Sequence, residues 1–288
     1  MNERLNTFSD KFDLLHENQT GFRKKYSTID NLFSINLLFE LLKSKKKKLF
    51  CIFVDFEKAF DSVWRKALWY KLLSNNISGK IYEVILNMYN QIKSRISFNN
   101  EFSDFFSCEN GVRQGENMSS YLFSIYLNDL EIFLSNTDTE GLPTISNMFE
   151  DKLNIYLKLF SILYADDTVL VAESAEALQN KLNHFQNYCK KWNLKINADK
   201  SKVIIFSKGK IPKNLQFTYD NKSFEIVQDF NYLGVVLNKS GSFKGAKLKQ
   251  ASKATKALYE ILKIGRLNNL SIQCQLDLNS AEHPLTFS

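Results

Sequence analysis

Glycine and proline are scarce, at ten and three residues in a chain of 288, well under half of average usage. So few breakers imply long elements and short loops, and exclude collagen-like, mucin-like and Gly-rich repetitive β architectures. Cysteine is scarce too. Cys51, Cys108, Cys189 and Cys274 lie far apart with no CxxC pair, which argues against a zinc site or a disulfide scaffold and predicts free thiols in a reducing compartment. No apolar stretch reaches the ~18 residues of a membrane span, and the charged opening, residues 1–13, lacks the apolar segment of a signal peptide. The expectation is a soluble intracellular chain. No repeat of fixed period is present.

What is present is ordinary for a globular chain: 44% hydrophobic and 24% charged residues, which excludes a disordered tail protein. The net charge of +7 is a weak pointer to a polyanion, because it is spread over the whole length. Two local clusters say more: the run KSKKKK at 43–48 and five lysines between Lys244 and Lys256. Each reads either as a solvated face or as a surface that follows phosphates.

Ser27, Thr28 and Asp30 precede an apolar pattern at 3–4 spacing and predict a capped helix ending in the lysine run. The run LFCIFV at 49–54 is short, continuous and rich in β-branched and aromatic residues, as in a buried central strand. Helices are predicted over 62–73, 78–92, 119–133, 175–192 and 244–266, with a hairpin over 95–106 and a loop over 136–151. Strands are predicted at 157–163 and 168–172, flanking Asp166 and Asp167 at a hairpin turn, and again at 203–206 and 230–237. The ordering gives an α+β fold, an antiparallel sheet covered by helices on one face.

The carboxylates carry the chemistry. Asp55 ends one apolar strand, and Asp166–Asp167 sit at the tip of an apolar hairpin. A charge beside a buried strand is costly unless something positive meets it. No basic residue adjoins them in sequence, which suggests a divalent cation, most naturally Mg²⁺. Two such ions suit phosphoryl transfer. A lone Asp after a strand also serves as a helix cap, and an Asp-Asp pair also serves as a solvated turn.

The company they keep narrows this. Asp55-Phe56-Glu57-Lys58-Ala59-Phe60-Asp61, Gly111-Val112-Arg113-Gln114-Gly115 and Tyr164-Ala165-Asp166-Asp167 resemble, in order, motifs A, B and C of reverse transcriptases. Gln19-Thr20-Gly21-Phe22-Arg23, Leu122-Phe123 and Leu127-Asn128-Asp129-Leu130 are similar to those of non-LTR, LINE-type retrotransposon polymerases. Asn197-Ala198-Asp199-Lys200-Ser201-Lys202 resembles their D motif, and Tyr232-Leu233-Gly234 their primer grip. The resemblance implies a polymerase palm with remnant fingers at 1–48, the palm and its four motifs at 49–208 and a primer-grip region at 209–243. The start of a helical thumb follows at 244–278, then a divergent tail at 279–288.

It also implies roles. Asp55, Asp166 and Asp167 would hold two Mg²⁺ ions with the carbonyl of Phe56, for attack of a primer 3′-hydroxyl on a dNTP directed by an RNA template. Phe60 would sit under the sugar and exclude a 2′-hydroxyl; it reads equally as a core Phe. Gln114 and Gly115 would meet the nucleotide at a helix start. Arg113 would add charge or be structural. Lys200 or Lys202 would protonate pyrophosphate, or be solvated. The lysines of 244–256 would follow the phosphate backbone.

The sequence departs from the family in three places. Met118-Ser119-Ser120 replaces Leu-Ser-Pro, which weakens the following helix start. The chain starts just after the place of the basic fingers hairpin, and 279–288 does not resemble the family. The expectation is therefore a polymerase truncated at both ends and nuclear by analogy. The alternative is a silent remnant that only binds nucleic acid. A two-metal nuclease would need a water-activating base, and His16, His184 and His283 are scattered.

Overall fold

A computed structural model describes residues 2–267 apart from 25, 91, 138–141, 145–156, 160, 165 and 213. The chain divides into two compact units, one of Met1–Gln228 with Lys239–Gly241 and one of Asp229–Asn238 with the chain from Ser242 onward.

The first unit opens with helices α1 (Asn2–Phe12) and α2 (Thr28–Ser44). Ser27 starts α2 in the way its sequence predicts: the Asp30 carboxylate accepts the Ser27 amide at 2.6 Å. Strand β1 (Leu49–Val54) follows, then α3 (Ala59–Ser62), α4 (Arg65–Ser74) and α5 (Gly79–Tyr89). Four two-residue strands, β2 (Lys93–Ser94), β3 (Ser97–Phe98), β4 (Glu101–Phe102) and β5 (Phe106–Ser107), pair as a hairpin. Next come α6 (Asn117–Leu127), α7 (Leu130–Ser135), and the paired strands β6 (Leu142–Thr144) and β7 (Leu157–Leu159). The unit continues with β8 (Ser161–Tyr164), β9 (Asp167–Ala172), α8 (Ala175–Lys191), β10 (Lys202–Phe206), β11 (Phe217–Tyr219) and β12 (Lys222–Val227).

Six strands form the main sheet in the order β11-β12-β10-β1-β9-β8. β1 is central, antiparallel to both β10 and β9. All six of its residues are buried, and their alternation divides them between two layers. Phe50, Ile52 and Val54 face a core shared with Leu122, Phe123 and Tyr126 of α6 and Leu182 and Phe185 of α8. On the other face, Phe39 of α2 meets Phe206 of β10 at 5.6 Å between ring centres. Each apolar side chain so buried contributes roughly 1.5–3 kcal/mol, so a charge at Ile52 would unseat the sheet.

The α+β architecture matches expectation, with two corrections. Helices lie on both faces, because a strand apolar at every position leaves a second face that α2 must cover. The β10–β12 pair is parallel, which alternation alone cannot show.

Other differences have local causes. The single helix predicted over 119–133 is two. Asn128 turns its side chain to the Leu14 carbonyl and the His16 amide, both at 2.7 Å, and Asp129 accepts from the Tyr188 hydroxyl at 2.6 Å. These side chains serve neighbouring segments at the point where the helix breaks. The helix predicted from 62 starts at Arg65 after a separate turn. Most of the 136–151 loop, Cys274 and the 279–288 tail lie outside the described residues.

In the second unit the single strand predicted over 230–237 is a hairpin, β13 (Asp229–Tyr232) and β14 (Val235–Asn238). Leu233 and Gly234 form its turn with φ of 48° and 82°, the left-handed pair that suits strand twist. Helix α9 (Lys244–Leu267) follows, and Gln250 donates to the Gly234 carbonyl at 3.2 Å.

Candidate active site

The carboxylates meet through strand register. Val54 of β1 lies opposite Thr168 of β9, so one step further Asp55 lies opposite Asp167. In the β8–β9 hairpin Tyr164 pairs with Asp167, and Asp166 stands in the turn between them. That turn lets two adjacent acids serve one sheet end.

Among the described residues none of the three forms an ion pair. Burial raises the Asp166 carboxyl above its ordinary value, and the Asp55 charge adds to it. Asp167 is open to solvent over part of its surface, yet the protein around it and then the Asp166 and Asp55 charges push it up to about 6. After burial, the Asp55 charge opposes ionisation of both Asp166 and Asp167, and the Asp166 charge opposes that of Asp167, as expected where no counter-charge offsets them. Among the described residues no three His, Cys, Asp or Glu side chains already converge as a closed metal cluster. Mg²⁺ seldom needs one: it takes one or two carboxylates and completes its shell with water and substrate phosphates. The donor chemistry fits such an ion.

Asp55 is held by the segment that follows α8. Its amide donates to the Ser201 hydroxyl at 3.0 Å, and that hydroxyl donates to the Asn197 carbonyl at 2.8 Å. The Asn197 amide returns a bond to the Asp55 carbonyl at 2.9 Å, and the Glu57 amide donates to Lys195 at 2.8 Å. This narrow antiparallel bridge leaves the Phe56 carbonyl out of the ladder, while the Phe56 ring sits in the core against Phe123 and Phe185. Ser201 is fully buried, and sequence reading missed its role; its spacing of four from Asn197 inside one turn was the available signal.

The same segment separates the two lysines. Lys202 is engaged, with Glu225 at 2.8 Å and the Asp199 carbonyl at 2.6 Å. Lys200 is exposed, and no ion pair among the described residues involves it.

A cleft of about 510 Å³ adjoins this sheet end, lined by Phe60, Gln114, Gly115, Ser119 and Phe22 among others. The carboxylates do not line it. One aromatic contact links the cleft to the hairpin that carries two of them: Phe22 lies 6.0 Å from the ring of Tyr164, the partner of Asp167, while Phe60 packs at 5.3 Å on Phe123 of α6. The buried Ser119 hydroxyl in the cleft wall has no hydrogen-bond partner among the described residues. Gly115 has φ of 83°, a conformation that favours glycine over any other residue. Gly111 has φ of 85°, and a Cβ there would stand 2.8 Å from the Asp61 carbonyl oxygen. Arg65 pins this approach, donating to the carbonyls of Gly111, Tyr89, Cys108 and Asn110 at 2.5–3.2 Å. Arg113 is engaged by Glu116 at 2.8 Å and the Met88 carbonyl at 3.1 Å, so its charge is already balanced. Tyr232, Leu233 and Gly234 belong to the second unit.

The family model described as reverse transcriptase (RNA-dependent DNA polymerase) matches residues 1–237. The chain belongs to the reverse transcriptase family. Among relatives of this reverse transcriptase domain, the RNA-directed DNA polymerase from mobile element jockey of Drosophila funebris is 27% identical, over 78% of this chain and 24% of its own length. The probable RNA-directed DNA polymerase from transposon BS of Drosophila melanogaster is 26% identical, over 87% and 26%. The Pol polyprotein of the type-1 retrotransposable element R2 of Bradysia coprophila is 26% identical, over 78% and 25%. The domain is thus of the non-LTR retrotransposon kind and spans about a quarter of the relatives it matches. In fold it is similar to apo telomerase from Candida tropicalis, with a TM-score of 0.54 at 17% identity, over 82% of this chain and 43% of that one. No helix among the described residues is long and apolar enough to cross a membrane.

Proposed function

We propose that this chain extends a DNA primer with dNTPs on an RNA template, using Mg²⁺ at Asp55, Asp166 and Asp167. The observation that carries the proposal is the trio of acids at one sheet end with no cationic partner among the described residues. Asp55, Asp166 and Asp167 would hold the metal, with the Phe56 carbonyl available beside them. When bound, divalent ions supply charge neutralisation at the phosphates and a more acidic 3′-hydroxyl.

The chain's own residues do the rest. Ser201 and Asn197 fix the Asp55 backbone, so the carboxylate need not be ordered during reaction. Phe60 and Gly115 shape the cleft for the incoming nucleotide, with the Phe60 ring against the sugar and the Gln114 side chain within reach. Lys200, exposed and in no ion pair among the described residues, would give a proton to the leaving pyrophosphate, whereas Lys202 is engaged by Glu225. Tyr232, Leu233 and Gly234 would steady the primer end, and the lysines of α9 would follow the duplex phosphates.

Primer extension on an RNA template tests this, with Asp166→Ala/Asp167→Ala as control. Extension that needs Mg²⁺ and vanishes in the control supports the proposal. RNA binding without extension identifies the chain as a silent remnant and refutes it.

A further inference from the structure

A second recess, of about 420 Å³, opens beside α4 and the end of α8, and shares no lining residue with the cleft. The cleft takes Ser119, Ser120 and Tyr121 from the start of α6; the recess takes Ile125 from its last turn and Asp129 from just beyond it. At 1.5 Å per residue the two lie on the order of 10 Å apart along the helix. Its rim carries two rings that a small core has no reason to leave in water: Tyr70 is 63% exposed and Trp64 40%. Tyr70 lies 6.3 Å from the Trp192 ring at an interplanar angle of 27°. Lys66 and Lys191 stand on the same rim, exposed and without an ion pair among the described residues.

An aromatic recess with an acid nearby suits either a cation or a flat base. Here the place of the cation is taken. The Lys71 ammonium already lies 3.9 Å from the Trp192 ring centre and within about 5 Å of Tyr126 and Tyr188, paired with Asp129. Two further lysines at the rim repel a second cation and attract an anion. What remains is the exposed rings of Tyr70 and Trp64 beside the exposed Lys66 and the Lys191 ammonium, which lies 4.9 Å from the Trp192 ring centre, the combination that binds unpaired bases and their phosphates.

We propose that the Trp64–Tyr70–Trp192 recess is a stacking site for single-stranded nucleic acid, separate from the polymerising cleft. One base lies on Tyr70 and Trp64, and the flanking phosphates meet Lys66 and Lys191. Such a site would hold an unpaired stretch of the copied strand outside the cleft.

The chain has three tryptophans, and two of them, Trp64 and Trp192, line this recess. Intrinsic fluorescence therefore reports it directly. Titration of the full chain with short oligoadenylate is expected to quench tryptophan emission. Tyr70→Ala should weaken that quenching transition about fivefold or more, and Tyr70→Phe, which keeps the ring, should restore it. Tyr70 is mostly in solvent, so circular dichroism should show all three proteins equally folded. Binding seen by anisotropy without quenching would overturn the proposal, as would a Tyr70→Ala protein that titrates like the parent.

Discussion

Lys71 and Asp129, near the end of α6, share a 2.5 Å ion pair inside a ring of Tyr126, Tyr188 and Trp192. Asp55, Asp166 and Asp167, at the end of the central strands, have no cationic partner among the described residues, and burial, with the neighbouring acid charges adding to it, raises Asp166 and Asp167. Both sites sit in the first unit and both place charge against apolar packing. The difference lies in partners. Lys71 also donates to the Tyr126 carbonyl, and Arg65 spends its guanidinium on four carbonyls. Charge buried to hold the fold arrives with its hydrogen bonds complete, because an uncompensated one would cost several kcal/mol. Charge left without a partner at a strand end costs stability and is retained for what it binds.

The sharpest way to break this comparison is to remove a structural charge. Lys71→Ala takes away the ion pair and the bonds to the Tyr126 carbonyl and Tyr188 hydroxyl. Asp129 is 42% exposed and recovers some hydration, so the loss should fall near the lower end for a broken buried pair, about 3 kcal/mol in urea unfolding. Burial lowers the Lys71 ammonium to about 8. The folded state therefore holds fewer protons than the unfolded between about 8 and 10.5, and its contribution to stability rises with pH across that window. Lys71→Met should abolish this rise while keeping most of the packing.

A smaller effect of opposite sign is expected at the strand end. In the metal-free protein Asp167 keeps its proton to about 6, against an ordinary 3.8. Between those values the folded state binds more protons, so stability falls as pH rises, and the penalty is complete above about 6. Asp167→Asn should remove that slope and raise the melting temperature at neutral pH. Adding Mg²⁺ to the parent should raise it too, more at pH 7.5 than at pH 5, since a protonated acid is a poor ligand. A Mg²⁺ effect unchanged in Asp167→Asn would count against metal at this site.

The sequence reading reached the parts of this picture that local chemistry encodes. The run at 49–54, the acids beside it, the hairpin that carries Asp166 and the cap at Ser27 all announce themselves within a few residues. What it missed depends on distant partners. Helix α6 ends where Asn128 finds Leu14 and His16, more than a hundred residues away. The parallel β10–β12 pairing and the cover of α2 over the second sheet face are equally non-local. Ser201 looked like one more residue of a polar motif until its hydroxyl met the Asp55 amide.

The smallest effect on stability separates the two lysines of that motif. The Lys202 ammonium pairs with Glu225 at 2.8 Å, but Glu225 is 66% exposed. A pair so open to water contributes at most about 1 kcal/mol. Lys202→Ala should therefore shift unfolding slightly, and Lys200→Ala should leave it unchanged. In primer extension the order reverses. If Lys200 delivers the proton to pyrophosphate, its loss should slow incorporation about a hundredfold, the scale of a missing general acid, and flatten the alkaline limb of the pH–rate profile. Lys202→Ala should keep that limb. Equal slowing by both substitutions would place the lysines together as a phosphate-facing charge and remove the distinction drawn from Glu225.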